Sequence, residues 1–179
     1  MKLASTIHRF DVSVSIWLMK RKRHALFARV GRWVSRSGDG YLYAALALYL
    51  FVSGVLWAWS PDNRVFLVGI LAAFAFERSL YFVLKNSLKR HRPQEALENF
   101  RSVIKPSDRF SFPSGHTSGA FLMATFVAYF HPALAIPAYV WASSLGLSRL
   151  VLGVHFPTDV VAGMTMGTTV AAVTLHVLA

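Results

Sequence analysis

"SFPSGHTSGAFLMATFVAYF", residues 111–130, decides the fold. Its second half is a run of apolar residues long enough for a helix, and its first half is a small polar cluster at the mouth of that helix. Pro113 ends an extended approach. Ser114 stands where a side-chain oxygen caps a helix start. The first backbone N–H groups of such a helix have no intrahelical partner and point outward. Gly115 lets an anion come close to them, and the helix dipole favours its charge. His116 is held at the rim, where it can give or take a proton near neutral pH. A plain capped helix with a histidine at headgroup level is the simpler account of the same residues. What lies around the stretch separates the two.

A membrane helix needs about 20 mostly apolar residues. Besides the short stretch from about 114 to 130, the spans expected are 41–59, 65–84, about 133–151 and about 157–178. Bulk composition agrees. The chain has 179 residues, a length suited to one domain, and 55% of them are hydrophobic, against roughly 45–50% in an ordinary soluble domain. Mean hydropathy is +0.45 and the sequence pI about 10.6. A formal net charge of +11 on so apolar a chain points to a membrane protein that meets anionic headgroups, and away from a nucleic-acid binder. There is no cysteine, which excludes disulfides, thiolate chemistry and Cys-type zinc sites. No cleavable signal is expected, because His8, Arg9 and Asp11 interrupt the first apolar positions.

Residues 1–36 read differently. Ile7, Phe10, Val14, Trp17 and Leu18 share one helical face, and Leu26, Phe27, Val30, Trp33 and Val34 form a second stripe. Between them lies the basic run Lys20 to His24. Such helices lie in the membrane interface or pack on the edge of a bundle. The segment Ser37 to Gly40 breaks the pattern. The fold class expected is therefore all-α: an integral membrane bundle of about five transmembrane helices preceded by amphipathic N-terminal helices. It forms one membrane domain over 1–179, with interfacial helices in 1–36 and the bundle in 41–178. Counting spans puts the amino terminus, the polar 93–112 loop and the loop before Pro157 on one side, with nearly all Lys and Arg. The positive-inside rule makes that side cytoplasmic.

Two further clusters fall on this side. "KNSLKRHRP", residues 85–93, puts Lys85, Lys89 and Arg92 on one helical face, with the helix expected to run to Arg92 before Pro93. A basic collar at a span end would look the same. Arg78 lies seven residues before Lys85, either beneath an anion site or paired with a carboxylate such as Glu77 or Asp159. "SRLVLGVHFPTD", residues 148–159, ends one span with Arg149, turns at Gly153, and places His155 just before Pro157, a residue suited to a helix's first turn. Asp159 can reach back to one imidazole nitrogen and leave the other free as base or nucleophile. Charges at membrane depth are costly unless paired. Three cations, two histidines and a carboxylate converging at three span ends suit a phosphate, whose oxygens Arg forks bind in pairs. His24, His131 and His176 fit interfacial or packing positions.

Lys85 with Arg92-Pro93, then Pro113-Ser114-Gly115-His116, then Ser148-Arg149 with His155 and Asp159, resemble in type, spacing and order the three-part signature of the type 2 phosphatidic acid phosphatase superfamily. The resemblance spans residues 85–159. It implies a lipid phosphatase of the bacterial inner membrane that needs no metal or other cofactor. His155 would be the nucleophile that forms a phosphohistidine, Asp159 would orient it, and His116 would be the general acid and then base. Lys85, Arg92, Arg149, Ser114 and Gly115 would bind phosphate. Phosphatidate, phosphatidylglycerophosphate and prenyl diphosphates such as undecaprenyl diphosphate fit as substrates, with the bilayer as a further partner and no nucleic acid expected. Many bacterial relatives have six spans; here the amphipathic segment stands in place of the first. The rival classes are a lipid phosphotransferase using the same phosphohistidine, a soluble vanadate-binding halide oxidase of the same superfamily, and a non-catalytic membrane scaffold or transporter. Five apolar spans argue against the second, and two histidines with their aspartate against the last.

Overall fold

The structure, a computed structural model, describes residues 2–21, 24–57, 61–106 and 108–178. Lys22 and Arg23 of the basic run, and the last two residues of the expected first span, lie outside them. Eight α-helices follow one another: α1 (Lys2–Met19), α2 (His24–Arg36), α3 (Tyr41–Trp57), α4 (Pro61–Leu88), the short α5 (Pro93–Ala96), α6 (Gly115–Phe130), α7 (Ala135–Val151) and α8 (Pro157–Leu178). A 3₁₀ turn at Pro132–Leu134 leads into α7. Among the described residues there is no strand.

The helix that opened the sequence reading is the centre of the bundle. α6 packs against α4, α7 and α8, while α3 lies on α4 and α2 on α7. Small residues set the closest approach. A Cβ at Gly167 would collide with the Ser118 carbonyl, and one at Gly163 with the Ser114 carbonyl, so α8 meets the α6 backbone directly. Glycines spaced by four let membrane helices approach this closely. Larger residues fill the end remote from His116: Phe66, Leu122, Phe126, Val170 and Leu175 are buried together, with Phe66 and Phe126 edge to face at 6.0 Å.

The exterior inverts the pattern of a water-soluble protein. Val68, Leu71, Phe76 and Phe82 on α4, Ile136, Val140 and Leu147 on α7, and Val161, Val173 and Val177 on α8 are exposed, while Glu77, Lys85, Arg92, Arg149 and Asp159 are buried. Among the described residues three helical segments are long and apolar enough to cross a membrane: 64–96, 132–151 and 157–178. α3 and α6, with 17 and 16 residues, are shorter. The apolar stripes of the N-terminal pair face outward: Phe10, Trp17, Leu26, Phe27, Val30 and Trp33 are all exposed. α2 instead buries Ala28, Gly31 and Ser35, a small-residue face that lets it lie close along α7.

Candidate active site

The mouth of α6 is fixed to the mouth of α8 by a backbone hydrogen bond from Ser114 N to Asp159 O, 3.0 Å. Ser114 is the N-cap residue as expected, but its hydroxyl does not cap the helix. It pairs with the Thr117 hydroxyl at 2.9 Å, which leaves the first N–H groups of α6 without a side-chain cap. Gly115 lies against the Tyr81 ring, where a Cβ would come within 2.8 Å of Cε2, and its carbonyl accepts from Arg78 Nη2. The neighbouring Glu77 pairs with Arg78, the structural pairing anticipated for it. His116 Nε2 lies 2.8 Å from Asp39 Oδ1. Asp39 belongs to the turn between α2 and α3, read from sequence only as a break.

At the end of α4 the helix stops at Leu88, four residues before the expected end. Lys89 has φ +47°, a left-handed conformation that unwinds the chain. Lys89 therefore leaves the face shared with Lys85, and Arg92 reaches the site from an extended segment, with φ −76° and ψ 159°. Lys85 Nζ lies 2.9 Å from Asp108 Oδ1 and donates to Tyr81 Oη at 2.5 Å, while Tyr81 Oη donates to Asp108 Oδ2 at 2.7 Å. Arg92 binds the same carboxylate through Nη2 and the Asp108 carbonyl through Nε. Asp108 thus holds two of the three cations assigned to phosphate. Burial alone would raise its pKa, but the hydrogen bonds from Lys85, Tyr81 and Arg92 outweigh it and hold the carboxyl at about 2.

His155 lies in the loop between α7 and α8, after a turn at Gly153 with φ +71°, and is 3% exposed. Its Nε2 is 3.4 Å from Arg92 Nη1 and its Nδ1 3.6 Å from Asp159 Oδ2. The second separation is longer than a hydrogen bond. Asp159 Oδ2 instead accepts from Phe156 N at 2.8 Å, and Oδ1 from Arg90 Nη1 at 2.7 Å. Burial, reinforced by the positive charges of Arg149 and Arg92, pushes the His155 pKa down to about 4 against the pull of Asp159. Arg149 donates to Ser35 Oγ at 2.5 Å through Nη1, and its buried Nε has no hydrogen-bond partner among the described residues.

A cavity of about 810 Å³ opens between these elements, with Gly115, His116, Arg149, Asp108 and Asp39 on its wall. His155, Asp159, Lys85, Arg92 and Ser114 are set behind that wall. Asp108 on the wall binds Arg92, which in turn reaches His155. All eight residues singled out from sequence thus lie in one connected cluster. Sequence reasoning missed the carboxylates Asp39, Asp108 and Asp11 and the cation Arg90. Arg90 carried a nearby signal, as part of the basic cluster, and Asp11 a fainter one, as a carboxylate within a basic amphipathic segment.

Buried charge on an all-helical bundle with a lipid-facing exterior defines an integral membrane protein with a polar site at one end of its helices. The chain belongs to the PAP2 superfamily, whose family model matches residues 65–179. Over 107 residues it is 42% identical to the decaprenylphosphoryl-5-phosphoribose phosphatase of Mycolicibacterium smegmatis, covering 58% of this chain and 55% of that one. Over 130 residues it is 28% identical to the bacitracin transport permease protein BcrC of Bacillus licheniformis, covering 71% and 64%. The chain thus spans between half and two thirds of the length of these curated relatives. The crystal structure of a transmembrane PAP2-type phosphatidylglycerolphosphate phosphatase from Bacillus subtilis superimposes with a TM-score of 0.77 at 26% identity, covering 96% of this chain and 86% of the other.

Proposed function

We propose that the protein is a lipid phosphatase that hydrolyses a phosphomonoester or diphosphate headgroup through a phosphohistidine on His155. One observation carries this reading: His155 Nε2 and the guanidinium of Arg92 are 3.4 Å apart, so an anion bound by Arg92 lies next to a neutral imidazole nitrogen. The phosphate takes the place of the Asp108 carboxylate among the Lys85 and Arg92 donors. Arg149 and the uncapped N–H groups at the start of α6 hold its other oxygens.

The chemistry then follows from the placement of the groups. His155 Nε2 attacks phosphorus in line, and the bond from phosphorus to the leaving oxygen breaks. Asp159 stabilises the positive charge that develops on the ring. His116 protonates the leaving oxygen, then takes a proton from the water that hydrolyses the phosphohistidine, releasing inorganic phosphate. Catalysis rests on positioning and charge stabilisation. No metal or other cofactor takes part in this scheme.

A headgroup site at the end of a bundle with an apolar exterior suits a phosphate carried on a lipid tail. The names of the relatives extend over glycerolipid and prenyl phosphates, and both classes are candidates here. We read α3 and α6 as two further spans, α1 and α2 as interfacial helices, and 1–179 as one membrane domain. With five spans the charged side, and the site with it, faces the cytoplasm of a bacterial inner membrane. A reporter fused after Ala179 tests the orientation: external placement supports it and internal placement refutes it. The activity is tested by phosphate release from phosphatidate, phosphatidylglycerophosphate and undecaprenyl diphosphate in detergent with a chelator present. Release from none of them, or full release by His155→Ala, overturns the reading.

A further inference from the structure

We propose that Asp11, on the N-terminal amphipathic helix, is a positioning residue for the nucleophilic histidine, acting through Arg90 and Thr158 on Asp159. The inference rests on the reading of His155 as nucleophile.

Asp11 is the only carboxylate within α1 and is completely buried. A buried charge persists only where it is paired and hydrogen-bonded, and the partners of Asp11 seen among the described residues, Thr158 and Arg90, lie at the site. Oδ1 accepts from Thr158 N at 3.0 Å, across 147 positions of sequence. Thr158 is the second residue of α8, and its N–H is one of those a helix start leaves unpartnered. α1 therefore supplies the cap of α8 from the far end of the chain. Oδ2 accepts from Thr158 Oγ1 and from Arg90 Nη2, each at 2.5 Å. The other arm of Arg90 donates to Thr158 Oγ1 and to Asp159 Oδ1, each at 2.7 Å. The guanidinium also lies over the Phe156 ring, 4.4 Å from its centroid.

One guanidinium thus sits between two carboxylates and divides its fork between them. The division sets the orientation of Asp159. With one oxygen held by Arg90 Nη1 and the other by Phe156 N, the carboxylate plane is fixed and Oδ2 is turned toward His155 Nδ1. An Arg fork relieved of Asp11 is free to take both oxygens of Asp159, since paired binding is its preferred geometry with a carboxylate. Asp159 would then rotate away from the ring it orients. None of the groups assigned to phosphate touches Asp11, so the loss falls on the chemical step and spares binding.

The test uses full-length protein in detergent with short-chain phosphatidate, measuring kcat, KM and the rate of trapped phosphoenzyme formation. Asp11→Asn lowers kcat and the trapping rate by about 10–100-fold, the scale of a misplacement near 1 Å, with KM within about twofold. The same substitution in an Arg90→Gln background has a much smaller effect, because the two act as one unit. Phe10→Ala, on the exposed face of the same helix, keeps wild-type kinetics. Thr158→Val removes the hydroxyl shared by Asp11 and Arg90 while leaving the acidic residue in place. It lowers kcat severalfold at constant KM, and it serves as the second variant if Asp11→Asn does not fold. Wild-type kcat in both Asp11→Asn and Thr158→Val overturns the proposal, as does an undiminished Asp11→Asn effect in the Arg90→Gln background. His155→Ala is assayed alongside. If it is inactive while Asp11→Asn is normal, the positioning role alone fails; if it is fully active, the nucleophile reading fails first.

Discussion

The interior of the bundle is charged at the site end and apolar at the remote one, and the two ends are stabilised by opposite means. At the remote end Phe66, Leu122, Phe126 and Val170 fill the space between helices. At the site end Lys85, Arg92, Asp108 and Asp159 are each paired with an opposite charge, and Arg149 donates to the Ser35 hydroxyl. The apolar end can lose volume and keep its shape at reduced stability. The charged end is a set of mutual dependencies, in which removing one member leaves another uncompensated. Stability and chemistry are thereby separated along the length of one bundle.

The largest effect that would break this separation concerns His155. His155→Ala lowers phosphate release by at least about 10³-fold while the melting temperature stays near wild type; a simultaneous collapse of stability would show that the charged end also holds the fold. Phe126→Ala should do the reverse, costing about 3 kcal/mol of stability with KM unchanged. Thermal unfolding in detergent beside steady-state kinetics checks both. Asp108→Asn sharpens the account of the charged end. It removes the internal anion that competes for Lys85 and Arg92, an ion pair worth about 1 kcal/mol at a half-exposed carboxylate, and KM falls severalfold. An increase in KM would mean that Asp108 orders the cations instead of competing for them.

The smallest effect is one of pH. In the proposed mechanism His155 attacks as the neutral ring, and burial with Arg149 and Arg92 sets its pKa at about 4 instead of 6.5. The rate of phosphoenzyme formation therefore holds as pH falls from 6.5 to about 5, where an ordinary histidine would already be charged. Stability moves the other way. Below pH 6.5 the unfolded chain binds a proton at this position that the folded chain refuses until about pH 4, so stability declines through that window. A rate that halves at pH 6.5 would place the ring in a wetter environment.

The three motif clusters were legible because each is local: Ser114 to His116, Lys85 to Arg92, and Arg149 to Asp159 each fit within a few turns of chain. The order of apolar stretches made the bundle legible in the same way. What remained hidden is what the tertiary fold alone creates. Asp39 meets His116 across 77 positions and Asp11 meets Thr158 across 147, and no local period encodes either. Asp11 left a trace, a carboxylate within a basic amphipathic segment, but from sequence it served only to argue against a signal peptide. Lys89 misled because the spacing i, i+4, i+7 presumes a continuous helix, and the left-handed residue that ends α4 is Lys89 itself. Ser114 fitted the N-cap position, yet the Thr117 hydroxyl three residues on took its side chain.

The contact of Gly163 and Gly167 with the α6 backbone bears on how this enzyme family can drift. Two helices that touch through main chain, with no side chain between them, keep the offset between their starts independent of what fills the rest of the interior. Residues elsewhere along α6 and α8 are then free to change without moving the start of one helix against the start of the other.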